Sequence, residues 1–422
     1  MGRWANKYVI GLTGNIATGK SVVRQMLQHL EAYTIDADSL SHRAMAPGAP
    51  AYKPIIDTFG QFILDADKNI NRAMLGNIVF SSPDALARLE AIVHPVVGGA
   101  VNALITRAQQ KFIVVEAIKL LEGDLGKGVD EVWVVDASPE TQVKRLIEKR
   151  KMSDAEARQR VAAQNAQADK LAKANVVIKN DGNIEDTWKQ VQAAWTAIQR
   201  KLAGTAPAAP APAAAAPAQP AAATPAKPPQ TKRLDPNTPM PAAPATAAPV
   251  AAAPAANVTV TIKRGMPTNA DVLAEFISKA SGNTVSRMDI MMAFGQKSYL
   301  LAQDQADRVL AVMGWQVENL ITRVDEFYIA PNAPAAAVIE SLVTAVEAAS
   351  KDLQSEVAYF FLPEAVGAQL APAFEQHGYE VTVVEQIKIP AWREAVQEII
   401  TEFKAARIFG KKLREDRVLK PI

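Results

Sequence analysis

Hydrophobic positions in the first 203 residues fall into short continuous runs separated by stretches with a helical period. "KYVIGLTG" at 7–14, "KFIVVEA" at 111–117 and "DEVWVVDA" at 130–137 are nearly unbroken apolar runs, the pattern of strands buried on both faces. "YTIDAD" at 33–38 predicts a short strand ending in acids, and "ANVVIKN" at 174–180 predicts another. "SVVRQMLQHL" places Val22, Val23, Met26, Leu27 and Leu30 on one helical face. Strands and helices in this alternation imply an α/β unit with a parallel sheet and right-handed crossovers.

The pattern changes after position 257. "NVTVTIKRG" and "SYLLAQD" read as strands, and "RVLAVMGWQVENLITRVDEFYIAP" is long enough for two strands joined by a turn. A helix over "AAAVIESLVTAVEAASKDL" follows, then strand "EVAYFFLP", helix "AVGAQLAPAFEQHG" and strand "YEVTVVEQ". This order predicts a mixed α/β domain. The tail from 391 is expected to be an amphipathic helix ending in the basic stretch "KKLREDRVLK", read as a solvated terminal helix.

Residues 204–257 are almost entirely Ala and Pro and hold 14 of the chain's 27 prolines, too many for helix or sheet. Such a segment buries too little apolar area to offset the entropy of ordering itself. It predicts a semi-extended linker that keeps two domains apart yet tethered. The expected layout is the parallel-sheet α/β domain at 1–203, the linker at 204–257, a second domain at 258–390 and a basic tail at 391–422.

Composition narrows the chemistry. With no cysteine, disulfides, thiolate zinc sites, iron–sulfur clusters and cysteine nucleophiles are excluded. A net charge of +2 gives no global field for nucleic acid, and no nucleic-acid partner is expected. No long apolar run free of charge and proline is present, so no membrane span is expected; a cytoplasmic location fits.

Gly14-Asn15-Ile16-Ala17-Thr18-Gly19-Lys20-Ser21 satisfies the phosphate-loop pattern G-x-x-x-x-G-K-[ST], with a strand before it and a helix after. Successive backbone N–H groups, on to Val22, can wrap a polyphosphate at a helix N-terminus. Lys20 can reach the β- and γ-phosphates, and the Ser21 hydroxyl can ligate Mg²⁺. The loop by itself does not separate an ATPase, a GTPase and a small-molecule kinase. A kinase also needs an acid to receive the acceptor's proton, and cations over the transferring phosphate. Asp36 and Asp38, at the carboxyl edge of the sheet beside the loop, are candidates for the acid, with a helix N-cap as the alternative for Asp38 or Ser39. "KRLIEKRKMSDAEARQR" supplies Arg145 as the candidate lid cation, while its other cations read as a solvated face.

Taken together these segments resemble the dephospho-CoA kinase family over roughly residues 7–190. "GLTGNIATGKS", "IDADSLSHRAMAPGAPAY", "FGQFIL", "INRAMLGNIVF", "LEAIVHPVV", "DASPETQVKRL", "RVAAQ" and "ANVVIKNDG" occur in the family's order. The resemblance implies a P-loop kinase with a helical lid that uses ATP and Mg²⁺ to phosphorylate the ribose 3′-hydroxyl of dephospho-CoA. It implies that Asp38 is the general base, that Asp36 organises the metal or acceptor site, and that Arg145 contacts ATP. Arg72 and His94 match positions near the acceptor-binding helices. Another small-molecule kinase, for nucleoside monophosphates, is the alternative. One departure stands out: where the family has an acid followed by P-L-L, this chain reads "EAIKLLEG". Glu116 and Glu122 keep the acids, but Ile118 and Lys119 replace the proline and first leucine and put a charge beside a normally apolar acceptor wall.

The order of elements over 258–385 resembles GNAT-type acyltransferases. "APNAPAAAVIE", at the place of their glycine-rich pyrophosphate loop, has no glycine, and Pro334 removes a backbone donor. A degenerate, non-acetylating fold is expected, with CoA or acyl-CoA sensing or acetyl transfer as alternatives. Glu318, Glu326 and Tyr379 read as structural, and Trp315, Phe327, Tyr328, Phe360 and Phe361 as core aromatics.

Overall fold

The computed structural model describes residues 3–164, 167–204, 260–318, 320–389, 392–393, 396–397, 399–400 and 406–414. The Ala/Pro segment thus lies outside the described residues except for Gly204.

Five strands, β1 (Tyr8–Thr13), β2 (Tyr33–Asp36), β3 (Phe112–Glu116), β4 (Glu131–Asp136) and β5 (Val176–Lys179), form a sheet in the order β2-β3-β1-β4-β5. Every pairing is parallel, as the continuous apolar runs predict. β1 is central and buried along its whole length. Its alternate residues feed two cores. Ile10 and Leu12 pack with Val23, Leu27 and Trp133 under the helices Lys20–His29 and Ile184–Leu202. Val9 packs with Ile113 and Val115 under the helix Pro83–Arg107. That last helix is long and apolar enough to cross a membrane, but Val97, Val101, Leu104 and Ile105 are buried against the sheet.

β6 (Thr261–Gly265), β7 (Ser298–Gln303), β8 (Val309–Glu318), β9 (Ile321–Ile329), β10 (Val357–Pro363), β11 (Glu380–Thr382) and β12 (Ala406–Lys412) form the second sheet. Their order is β11-β12-β10-β9-β8-β7-β6. Only β9 and β10 run parallel, joined by the crossover helix Ala335–Asp352; the other neighbours are antiparallel. This is the mixed α/β sheet expected after 257. Trp315, Phe360 and Phe361 are buried as predicted, and Phe327 and Tyr328 pack partly buried against the cores.

Three expectations fail. The tail is not one solvated helix: residues 406–412 form β12, inserted between β10 and β11 with Phe409 fully buried opposite Phe360. The apolar pair Ile408-Phe409, with Arg407 before it and Lys411 and Lys412 just after, gives a weak strand signal that the surrounding charges obscure. "YEVTVVEQ" keeps only three residues of strand before a 3-10 turn at Val384–Gln386. Most consequentially, the two units are not held apart. Arg43 forms an ion pair with Glu356 at 2.8 Å, and both are buried; Gln354 Nε2 donates to the Leu104 carbonyl at 2.8 Å. Gln25, Gln28 and His29, the polar face of the helix after the phosphate loop, are buried as well. The hydrophobic pattern alone would leave that face in water.

Candidate active site

Strand β1 ends at Thr13 and the chain turns through Gly14–Gly19 into the helix Lys20–His29. Two glycines are required here. Gly14 and Gly19 have φ of 152° and 96°, and a Cβ on either would run into the Val135 carbonyl or the Asn180 side chain. Ala17 is also left-handed, with φ of 57°. Arg145 locks the loop from below: Nη1 donates to the Ala17 and Thr18 carbonyls at 3.1 Å each, and Nη2 donates to the Asn180 carbonyl at 2.6 Å. Thr18 Oγ1 donates to the Asn15 carbonyl at 2.9 Å. The Val22 N–H, expected in the cradle, is bonded to the Gly19 carbonyl at 3.1 Å.

Lid side chains meet the phosphate-facing amides. Gln167 Oε1 accepts from the Asn15 N–H at 3.2 Å and Gln164 Oε1 from the Ile16 N–H at 2.8 Å. Lys20 is buried, its Nζ 3.2 Å from the Asn15 carbonyl. Burial lowers its pKa, while Glu116, Asp38 and Asp36 pull the other way. Lys170, 2.9 Å from Asn15 Oδ1, adds a second buried cation.

The acids divide their work. Asp36 is the N-cap of the helix Ala37–Ala44, its carboxylate accepting from the Ser39 N–H at 2.9 Å; Asp38, not the cap, sits in the first turn. Asp38 Oδ2 accepts from the Ile118 N–H at 3.1 Å. Burial and then Asp36 push the Asp38 carboxyl up to about 6. Asp38 lines a cavity of ≈ 680 Å³ together with Ser41, His94, Lys119 and Glu122. Glu116, buried at the end of β3, holds Ser21 Oγ at 3.3 Å and Arg24 Nε at 2.7 Å.

The geometry joins a phosphate cradle, a buried lysine and a carboxylate that faces an acceptor-sized cavity. A family model described as dephospho-CoA kinase matches residues 8–186. The dephospho-CoA kinase of Geobacter metallireducens is 44% identical over 190 residues, which cover 44% of this chain and 94% of that protein. The chain belongs to the dephospho-CoA kinase family. The counterpart from Streptomyces avermitilis is 42% identical over 45% of this chain and 93% of its own length. ATP-dependent phosphorylation of dephospho-CoA to CoA is therefore the activity of the first unit. Among solved structures, the dephospho-CoA kinase from Campylobacter jejuni is similar at 27% identity, covering 46% of this chain and 98% of that one, with a TM-score of 0.32. A putative acetyltransferase from Salmonella typhimurium, solved with acetyl-CoA, is similar at 11% identity over 39% of this chain and 99% of its own, with a TM-score of 0.30.

Within the dephospho-CoA kinase unit, the residues singled out from sequence fall into two groups. Gly14–Ser21, Asp36, Asp38 and Arg145 gather around the loop, and His94 joins Asp38 in the cavity wall. Arg72 does not join them: it is exposed at the start of the helix Arg72–Ser81 and is not in the wall of that cavity. Lys119 does line the cavity, but its charge is matched by Glu90 at 2.7 Å and Glu122 at 3.8 Å. Sequence reading missed Gln164, Gln167, Lys170 and Arg24. Gln164 ends the segment "RVAAQ", yet only the fold carries the chain after that helix back onto Asn15 and Ile16.

Proposed function

We propose that the first unit transfers the γ-phosphate of ATP to the ribose 3′-hydroxyl of dephospho-CoA, with Asp38 as the general base. The reading is carried by one observation: Asp38 lines the acceptor-sized cavity and also lies within the electrostatic reach of the buried Lys20. In the reaction the 3′-oxygen bonds to the γ-phosphorus, the bond to the β,γ-bridging oxygen breaks, and the hydroxyl proton passes to Asp38 Oδ1 or Oδ2. Lys20 and the amides of Asn15 to Lys20 hold the β- and γ-phosphates in line. Arg145 acts from beneath by fixing the carbonyls of Ala17 and Thr18, which turns the opposite N–H groups toward the nucleotide.

The oxygen donors around Ser21 suit Mg²⁺. The Ser21 hydroxyl and the Glu116 and Asp36 carboxylates are hard ligands, and Mg²⁺ ordinarily takes one or two protein oxygens, with phosphates and water completing its shell. Bound there, the ion would neutralise charge developing on the β- and γ-phosphates. Among the described residues no group of three acids and histidines forms a dedicated cage, which fits a metal carried in with ATP.

For the second unit we propose a non-acetylating role. Its crossover helix starts after Pro334, which offers no N–H where an acyl-CoA pyrophosphate would need one. Glu326 bonds Tyr299 Oη at 3.0 Å and Lys297 Nζ at 3.0 Å, and Tyr379 sits in an aromatic cluster, so both are structural.

The test is CoA formation by the full-length chain with Mg-ATP and dephospho-CoA, beside a panel of nucleoside monophosphates. Dephospho-CoA should give the highest kcat/KM; a nucleoside monophosphate ahead of it overturns the assignment.

A further inference from the structure

The helix that carries Lys20 and Ser21 is gripped along its length by the second unit. Near its start, Val22 lies against Gly295, where an added Cβ would come within 3.2 Å of Val22 Cγ1. One turn on, Gln25 Nε2 donates to Ser298 Oγ at 3.2 Å. At its end His29 Nε2 donates to the Phe294 carbonyl at 2.9 Å, and the two rings meet edge to face at 5.1 Å. Burial lowers the His29 pKa to about 4, so the ring is neutral near neutral pH and serves as this donor.

Arg24 is where these contacts reach the chemistry. Its Nε is 2.7 Å from one oxygen of Glu116, and the other Glu116 oxygen holds the Ser21 hydroxyl. On its far side Arg24 borders spaces walled by Glu318, the last residue of β8, and by Leu320. Ser21, Arg24 and Glu318 line one cavity of ≈ 430 Å³, and Arg24, Asp36, Glu318 and Leu320 line the space beside it. Leu320, with φ of 61°, is anchored in the first unit's own hydrophobic core with Leu104. The Arg24 guanidinium, its side chain only 12% exposed, thus has a carboxylate in direct contact, Glu116, and a second, Glu318, across the shared cavity.

We propose that the second unit is a built-in brace of the phosphate loop, in which Glu318 shares the Arg24 guanidinium with Glu116 and so sets how Glu116 holds Ser21. The inference rests on Ser21 serving the metal and phosphates as described above. Glu318 touches no substrate; it is a positioning residue. When its charge is lost, Arg24 is balanced by Glu116 and Asp36 alone, and Glu116 is drawn toward Arg24 and away from the Ser21 side. A degenerate acyltransferase-like unit then has a use that needs no acyl-CoA.

The experiment uses the full chain with Glu318→Gln, Arg24→Gln and the double variant. Glu318 is exposed, so its substitution should leave the melting temperature in place. In Glu318→Gln, kcat should fall about three- to tenfold. By calorimetry with a non-hydrolysable ATP analogue, the affinity gained on adding Mg²⁺ should shrink, with the metal-free affinity unchanged. In the Arg24→Gln background, Glu318→Gln should have no further effect, because Arg24 carries the coupling. An unchanged metal-dependent gain, or a loss just as large without Arg24, overturns the brace. Wild-type CoA formation separates the two ideas: if it is absent while the calorimetric coupling persists, the acceptor assignment fails and the brace stands.

Discussion

The N–H of Ile118 donates to Asp38 Oδ2, and it does so from a position where the dephospho-CoA kinase pattern described above has proline, which has no N–H to give. The substitution therefore adds a hydrogen bond to the proposed base. A donor on a carboxylate favours its charged form, and this one works against the burial that pushes Asp38 up to about 6. Since Asp38 accepts a proton only when ionised, kcat should rise with pH through about 6 and level off above it. Ile118→Pro should move that acid limb to higher pH. A kcat–pH profile in both proteins checks this, and an unmoved limb would mean that the bond is incidental.

Removing the base itself gives a larger and different effect. Asp38→Asn keeps the shape and the Ile118 bond but cannot take the hydroxyl proton, so kcat should fall by about 10²–10⁴. ATP affinity should change little, because Asp38 faces the cavity rather than the cradle. Equal losses of turnover and ATP binding, measured by steady-state kinetics and calorimetry, would assign Asp38 a structural role.

Lys119 replaces an apolar residue in the acceptor wall, yet its ammonium is tied to Glu90. The side chain is about half exposed, so the pair contributes roughly 0–1 kcal/mol to stability. Its field is better placed to act on the acceptor, whose pyrophosphate is anionic. Lys119→Leu should raise the KM for dephospho-CoA about threefold or more with kcat nearly constant, the signature of lost uniform binding. A fall in kcat at fixed KM would place Lys119 in the chemistry instead.

Gln164 and Gln167 hold the Ile16 and Asn15 amides that a phosphate needs. ATP must displace both side-chain oxygens, so their hydrogen bonds oppose nucleotide entry. Gln167→Ala should tighten ATP binding by about two- to fivefold, the scale of one neutral hydrogen bond partly offset by water. Calorimetry with the non-hydrolysable analogue reads this directly. Weaker binding would show that Gln167 swings over to the nucleotide and assists it.

How much of this was legible follows from where each signal resides. The five parallel strands and the loop could be read because continuous apolar runs and Gly14, Gly19, Lys20 and Ser21 are local patterns. β12 was not, because an apolar pair, Ile408-Phe409, among basic residues becomes a strand only through its neighbours β10 and β11. The packing of the two units was invisible for a related reason. Gln25, Gln28 and His29 read as a wet face; what dries them is Phe294, Ser298 and their neighbours, some 265 or more residues away in sequence. Arg145 could be placed near ATP from its motif, but its grip on the loop carbonyls depends on Asn180 and the fold.

That packing makes the linked unit part of the first unit's stability. Arg43 and Glu356 face each other at 2.8 Å with side chains only 6% and 1% exposed. Removing one partner takes a direct opposite charge away from a buried one, at a cost of about 3–5 kcal/mol. Glu356→Gln should therefore lower the urea midpoint of the full chain strongly. The pair Arg43→Met with Glu356→Leu should recover most of the loss, since two apolar side chains of similar volume avoid the desolvation penalty. Because Arg43 lies in the last turn of the helix capped by Asp36, the single variant should also reduce CoA formation at temperatures where the chain remains folded. If Glu356→Gln leaves the midpoint where it was, the two units do not meet in solution as they do here, and the brace on the phosphate loop goes with them.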